Sequence, residues 1–378
     1  MKTRCSTPLC ALALALASAP ALADINVGVV FSLTGPAASL GIETRKAIDL
    51  MPRTLGDEKI NYIVLDDATD PTNAVKNARK LAVEHKVDVL FGPNLITSGV
   101  AMADVANEEK VALLSQAPIE VAPEKLKWAF RVEPSADIMV GRAVADMKAR
   151  GVKTVGFIGF SDSWGELLLK ALTKTTAEAG IKIVATERYA RPDTSVTGQA
   201  LKLIAAKPDA VFVGGSGTPA ALPATTLRDR KYAGAIYQSH AVANKEFLRV
   251  GGKAVEGNRL PVAPVLVAEQ LPDSHPNKRV GVELVKAVEA KFGPESRSTF
   301  AGASWDGWLM LEAAFGAALK TAKPGTPEFR VAVRDALEQT KVVGANGTYT
   351  MSPTDHSGYD RASPVLIEVV NGTWKLLD

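Results

Sequence analysis

The sequence predicts an α/β fold built as two doubly wound lobes, each a mostly parallel sheet covered by helices. Three observations predict it. Apolar runs of strand length alternate with stretches of helical period along the chain. The alternation breaks near residues 134–138 and then begins again, which gives two βαβ series of similar size. Small and polar residues recur directly after the strands, where open α/β sheets hold ligands.

The first strand is Ile25–Phe31. It breaks into Ser32-Leu33-Thr34-Gly35-Pro36, and a helical pattern starts after Gly41, at Ile42. A strand that ends in free backbone N–H groups and feeds a helix suits the polar end of a ligand. Thr34 is expected to cap that helix. A second strand, 61–65, ends in Asp66-Asp67. Asp70 then caps a helix that has Pro71 at its first position. Val75, Ala78, Leu81 and Ala82 form its apolar face. The third strand, 87–91, ends in Gly92-Pro93-Asn94, and a helix follows through Val100, Ala103 and Ala106. The fourth, 111–114, ends in Ser115-Gln116-Ala117-Pro118. Residues 130–132 are short and extended, and Glu133-Pro134-Ser135 breaks them.

The second series starts with a helix over 139–150. Strand Thr154–Phe160 leads to Ser161-Asp162-Ser163-Trp164-Gly165, and a helix over 166–179 leads to strand Lys182–Tyr189. A helix at 199–206 precedes a strand at 210–213, which ends in Gly214-Gly215-Ser216-Gly217-Thr218. Another helix precedes strand Ala235–Gln238, followed by Ser239-His240. Helices at 278–291, 302–321 and 328–339 come next. A strand at 347–351 and then Val365–Val370 and Thr373–Leu376, joined by the Asn371-Gly372 turn, close the chain.

Residues 1–23 read as a cleaved secretory signal. Lys2 and Arg4 form the basic start, 9–17 the apolar middle, and Ala21-Leu22-Ala23 the cleavage site, so the mature chain is expected to start at Asp24. The apolar run falls short of the ~20 residues of a membrane span, and Pro20 interrupts it. A lipoprotein would need a Cys after that run, and Cys5 and Cys10 both lie too early for it. Both leave with the signal, which excludes disulfides, a thiol nucleophile and a Cys-ligated metal from the mature chain. The composition is 47% hydrophobic and 22% charged, with a formal net charge of +3 that shrinks when Lys2 and Arg4 leave. The basic residues are dispersed, so neither nucleic acid nor a membrane surface is an expected partner.

Catalytic patterns are sparse. His85, His240, His275 and His356 are the four histidines, and none has a second at metal-ligand spacing. The Gly214–Thr218 run fails the G-x-S-x-G pattern at its last position, and no phosphate-binding glycine motif follows a strand. Asp66 and Asp67 are adjacent on a strand end, point to opposite faces and suit loop hydrogen bonding better than acid/base work. No catalytic residue, metal or cofactor is expected.

Several segments, in their order and spacing, resemble one family. They are Ser32–Pro36 with Gly41, Asp66-Asp67-Ala68-Thr69-Asp70-Pro71, Phe91-Gly92-Pro93, Trp164-Gly165-Glu166, Gly214-Gly215 and Trp305-Asp306-Gly307. From Asp24 to the C-terminus the chain resembles the periplasmic solute-binding proteins of branched-chain amino acid ABC transporters, the leucine-binding protein family. The resemblance implies the type I periplasmic binding protein fold, a Venus-flytrap of two lobes joined by three crossovers. It implies one lobe of 24–135 plus 263–340 and another of 139–262 plus 345–378, with the ligand cleft between them. It also implies a binding receptor rather than an enzyme, located in the periplasm. A small-molecule ligand and an inner-membrane permease are the implied partners, and a monomer is expected.

Carried over position by position, the resemblance puts Leu40 where an aromatic packs on the ligand. Ile96 stands at the usual Ser of a carboxylate loop, with Thr97 and Ser98 beside it. Ala117 matches a backbone contact, and Ile119 a Thr that binds the head group. Trp164 and Ser216 match two tyrosines, and Phe300 a Phe near the ligand side chain. Leu33 and Thr218 add contacts from their loops. His240 falls where amino-acid binders of this family hold an acid against the ligand ammonium. A buried ammonium without a counter-charge is costly. The expected ligand is therefore a small organic carboxylate without an amine, held by His240 and sandwiched by Trp164 and Phe300, with an aromatic acid as the leading expectation. A Leu/Ile/Val binder is the alternative within the class. A secreted α/β hydrolase and the sensing domain of a regulator are the rivals outside it.

Overall fold

A computed structural model of the chain describes residues 24–377; the expected signal segment lies outside the described residues. Strands β1 (Ile25–Phe31), β2 (Thr54–Leu55), β3 (Glu58–Asp66), β4 (Val89–Phe91), β5 (Ala112–Ser115) and β6 (Ala129–Arg131) form one sheet in the order β2-β3-β1-β4-β5-β6. All its pairs are parallel except the β2–β3 hairpin. Strands β7 (Thr154–Phe160), β8 (Lys182–Tyr189), β9 (Ala210–Gly214), β10 (Ala235–Gln238) and β11 (Arg259–Val262) start the other. Its order is β15-β14-β11-β10-β9-β7-β8, with β14 (Val365–Val370) and β15 (Thr373–Leu376) antiparallel at one edge. The remaining pair, β12 (Lys341–Val343) and β13 (Thr348–Thr350), is a separate hairpin.

The five parallel strands of each sheet wind in the same order: second, first, third, fourth, fifth. The winding direction therefore reverses beside β1 in one lobe and beside β7 in the other. A crevice opens at the carboxyl ends of the strands at such a reversal. Both reversals are built alike. The helix Ala38–Ile48 crosses the end of β1 so closely that a Cβ on Gly41 would lie 2.1 Å from Ser32 O. The helix Ser163–Ala179 crosses the end of β7, and a Cβ on Gly165 would lie 1.8 Å from Phe160 O. Only glycine permits either approach, which explains why both were prominent in the sequence.

Two hydrophobic cores follow the two sheets. The chain leaves the first core after Val132, enters the second at Ala136, returns to the first at Val265, and enters the second again at Val365. These are three crossings. The segment 345–359, expected in the second lobe, packs instead in the first core through Ala345, Tyr349, Met351 and Tyr359. The cause is Asp306 on the helix Thr299–Ala318. Its buried carboxylate accepts from the Ala345 and Asn346 N–H groups and from Tyr349 Oη–H at 3.1 Å, which ties the hairpin under that helix. Only β14 and β15 go over to the second sheet.

Local signals worked where a side chain caps. Asp70 accepts from Thr72 N and Asn73 N, and Asp162 accepts from Trp164 N and Gly165 N. They failed at Thr34, which does not cap the helix after it. Its N–H and hydroxyl both donate to Asp66, at 3.3 and 2.6 Å. Asp66 also accepts from Leu33 N and Ala68 N, so it organises this loop. That is the loop-bonding role expected of the acidic pair.

Candidate functional site

The two reversals face each other across a cleft, and its walls come from strand ends of both lobes. On the first lobe Leu40 stands at the start of its helix, and Leu95 and Ile96 at the start of the helix Ile96–Glu109. Asn94 holds that corner, accepting from Ser32 N at 3.1 Å and donating to Thr44 Oγ1 at 2.8 Å. Gln116 and Pro118 extend the wall beyond β5.

On the second lobe Trp164 caps the space. Its Nε1–H donates to Gly215 O at 2.9 Å, and its ring meets His240 edge-on with centroids 5.4 Å apart. Arg191 follows β8 and turns inward. Its Nε donates to Asp162 Oδ2 at 2.6 Å and its Nη1 to Ser216 Oγ at 2.9 Å, with the guanidinium 4.2 Å from the Phe160 ring centroid. Asp162 therefore caps a helix with one oxygen and aims a cation with the other. A guanidinium held in this way offers a rigid donor to a carboxylate.

The hinge end is closed by Glu133 and Pro134 from the first crossing, Ala263 from the second, and Asn346 and Tyr359 from the tail. Glu133 Oε2 stands 3.9 Å from His240 Nε2. This is not an ion pair at neutral pH. Burial lowers the His240 pKa to about 4. Burial, with the charge of Asp306 adding to it, raises Glu133 to about 8. Glu133 is thus a protonated acid and His240 a neutral imidazole at pH 7.

Six of the twelve expected site residues line this cleft: Leu40, Ile96, Trp164, Ser216, His240 and Phe300. The other six do not. Leu33 packs on the first core, and Thr97 is exposed. Ser98 is fully buried inside the first lobe. The helix begins at Ile96, and each following residue turns by about 100°, so the wall ends there. Ala117 and Ile119 point into the first core while Gln116 and Pro118 face the cleft. The backbone beyond β5 alternates like a strand, and the other parity faces the ligand space. Thr218 opens a short 3-10 helix beyond the lining. Arg191 and Glu133 were missed, and Gln116 was read only as one of the polar residues that follow strands. For Arg191 the only signal was its place, a cation two residues past the end of β8. Glu133 read only as a chain break.

The site has the parts of a binder. The Ser216 hydroxyl accepts from the Arg191 guanidinium, which cannot accept a proton in return. Among the described residues no group of three His, Cys, Asp or Glu side chains could hold a metal ion, and no helix is long and apolar enough to cross a membrane.

Comparison with known proteins agrees with this architecture. Residues 24–367 match the model of a periplasmic binding protein family. An extracellular ligand-binding receptor from Rhodopseudomonas palustris superposes with a TM-score of 0.92 at 45% identity, covering 94% of this chain and 100% of its own. A Leu/Ile/Val-binding protein of Rhizobium johnstonii is 28% identical over 65% of this chain and 70% of its own length. A solute-binding protein of R. palustris solved with benzoate shares the fold, with a TM-score of 0.77 at 19% identity, over 94% of this chain and 95% of its own. Two matched lobes, three crossings and a cleft between strand ends accord with these likenesses, and the chain belongs to the periplasmic binding protein family.

Proposed function

We propose that this receptor binds a small organic acid with an aromatic or similarly apolar body and delivers it to an inner-membrane ABC permease. The observation that carries the reading is Arg191, aimed into the cleft beside the Ser216 hydroxyl. A carboxylate is the group such a pair takes best. Trp164, Phe300, Ile96 and Met139 supply apolar surface around the rest of the ligand space. The hinge end supports the absence of an amine, because protonated Glu133 and neutral His240 present no counter-charge to an ammonium. The lobes close on the ligand, and the closed form engages the permease. The receptor works as a monomer in the periplasm.

A Leu/Ile/Val ligand is the second reading. The names of the curated relatives favour it, and so does the Glu133 carboxyl, which an ammonium could ionise. A calorimetric and thermal-shift screen separates the two. Benzoate, cinnamate and branched keto acids are compared with Leu, Ile and Val. The acids are expected to stabilise the protein and the amino acids to leave it unchanged. Stabilisation by the amino acids alone would overturn the acid reading.

A further inference from the structure

We propose that Glu133, Gln116 and His240 form a second polar subsite at the hinge end of the cleft, which takes an uncharged hydroxyl on the ligand body, remote from its carboxylate. The proposal rests on the acid reading above. It assigns the ligand class more narrowly, as hydroxylated aromatic acids.

The topology brings the three residues to one cleft. Gln116 follows β5 and Glu133 follows β6, and these strands are paired neighbours. His240 comes from the other lobe, with its Nε2 3.9 Å from Glu133 Oε2. All three line the one cleft. Gln116 and His240 are 6% and 7% exposed, and only 12% of the Glu133 side chain is accessible. Gln116 Nε2, Gln116 Oε1 and His240 Nδ1 have no hydrogen-bond partner among the described residues. Buried polar atoms are almost always paired, and leaving one unpaired is costly. Several such atoms at one end of a ligand cleft point to a ligand group that pairs them.

The chemistry of that group follows from the charges. Neutral His240 offers one donor and one acceptor, as does protonated Glu133, and the Gln116 amide offers both. A hydroxyl both donates and accepts, so it can satisfy this set. A second carboxylate would meet no cation here. An ammonium would require an ionised Glu133 near the Asp306 carboxylate, whose charge already opposes that ionisation. The groups facing Glu133 are His240 from the second lobe, Asp306 from the helix Thr299–Ala318, and the Tyr349 and Tyr359 hydroxyls. Burial keeps both tyrosines protonated. The spacing also fits. Ser216 follows β9 and His240 follows the adjacent β10, so the carboxylate end and the hinge end are about one strand spacing apart, ~4.8 Å. An aromatic ring with a distal substituent covers such a span.

The test is calorimetry on the wild-type protein, Glu133→Gln and Glu133→Leu between pH 6 and 9. The probes are benzoate against 4-hydroxybenzoate, and cinnamate against its 4-hydroxy form. In the wild type the hydroxylated acid of at least one pair is expected to bind ~10-fold tighter. That advantage should fall as the pH rises through about 8 and Glu133 ionises. Glu133→Gln mimics the protonated acid and should keep the advantage while removing its pH dependence. Glu133→Leu should abolish the advantage, with the unsubstituted acid of each pair as the internal reference. Equal binding within both pairs in the wild type would overturn the subsite. So would loss of the advantage in Glu133→Gln, or an advantage that grows with pH. Binding by none of the four acids would overturn the acid reading, and the subsite with it.

Discussion

Arg191 donates from Nη1 to Ser216 Oγ at 2.9 Å, although the two residues follow strands separated by β7. Asp162, at the end of that intervening strand, holds the Arg191 Nε at 2.6 Å. Three strand ends thus fix one cation in the wall of the cleft. Arg191→Ala is expected to weaken binding of the best acid by ~10–100-fold, the range of a charge-assisted hydrogen bond. Arg191→Lys should recover only part, because a point charge cannot keep both Asp162 and Ser216 in register with a ligand carboxylate. Calorimetry measures both. Unchanged affinity in Arg191→Ala would move the carboxylate elsewhere in the cleft.

The hinge-end groups make the stability of the unliganded protein depend on pH in two directions. Glu133 has a folded-state pKa raised to about 8, above its ordinary 4.5. The folded chain therefore holds a proton that the unfolded chain has lost, and this contribution declines as the pH rises from about 4.5 through about 8. His240 works oppositely. Its folded pKa is lowered to about 4 from 6.5, so the unfolded chain takes up a proton first and stability falls as the pH drops below about 6.5. Thermal unfolding at pH 7 and pH 8.5 should show a lower Tm at the higher pH. Glu133→Gln should reduce that difference, and an identical pH profile in the variant would show that Glu133 does not titrate in this window.

Much of this fold was legible because its signals are local. Six strands occupy the residues their apolar runs predicted: β1, β7, β8, β10, β14 and β15. The Asp70-Pro71 start is a cap that operates as written. What stayed hidden depends on distant partners. Strand β11 contains Pro261, which lacks an N–H and argues against a strand, yet it pairs with Leu366 of the returning tail. The hairpin β12–β13 joins the first lobe because of Asp306, far away in sequence. In the cleft, large or unusual residues such as Trp164, His240 and Phe300 could be placed. The parity of residues 116–119 could not, since one step along an extended chain exchanges core for cleft.

Asp306 offers a test of the tail assignment. Its carboxylate accepts from two backbone N–H groups and the Tyr349 hydroxyl, and all of these are buried. Asp306→Ala would leave those donors without an acceptor and open a cavity beside Gly344. The expected loss is about 3 kcal/mol, the cost of orphaning two or three buried polar groups. Urea unfolding followed by tryptophan fluorescence measures it. A loss within ~0.5 kcal/mol, as for a surface change, would mean that apolar packing alone holds the hairpin.

Gly217 tests lobe closure itself. It sits in the second lobe with φ 59° and ψ −158°, and a Cβ there would lie 2.6 Å from Ser39 Oγ and 2.7 Å from Leu40 Cδ1, across the cleft. Two costs follow for Gly217→Ala and they can be separated. The backbone region is nearly reserved for glycine, so the unliganded protein should lose stability by about 1–3 kcal/mol. The contact with Ser39 and Leu40 exists only when the lobes meet, so it should act on the liganded form alone. The ligand-induced rise in Tm is therefore expected to shrink well below that of the wild type, since a ligand stabilises only the state it binds. Gly198→Ala is the control, because a Cβ at Gly198 meets nothing within 4 Å. It should keep the full ligand-induced rise. The same rise in Gly217→Ala as in the wild type would mean that the first lobe yields at Ser39 and Leu40, and that close approach at this glycine does not limit closure.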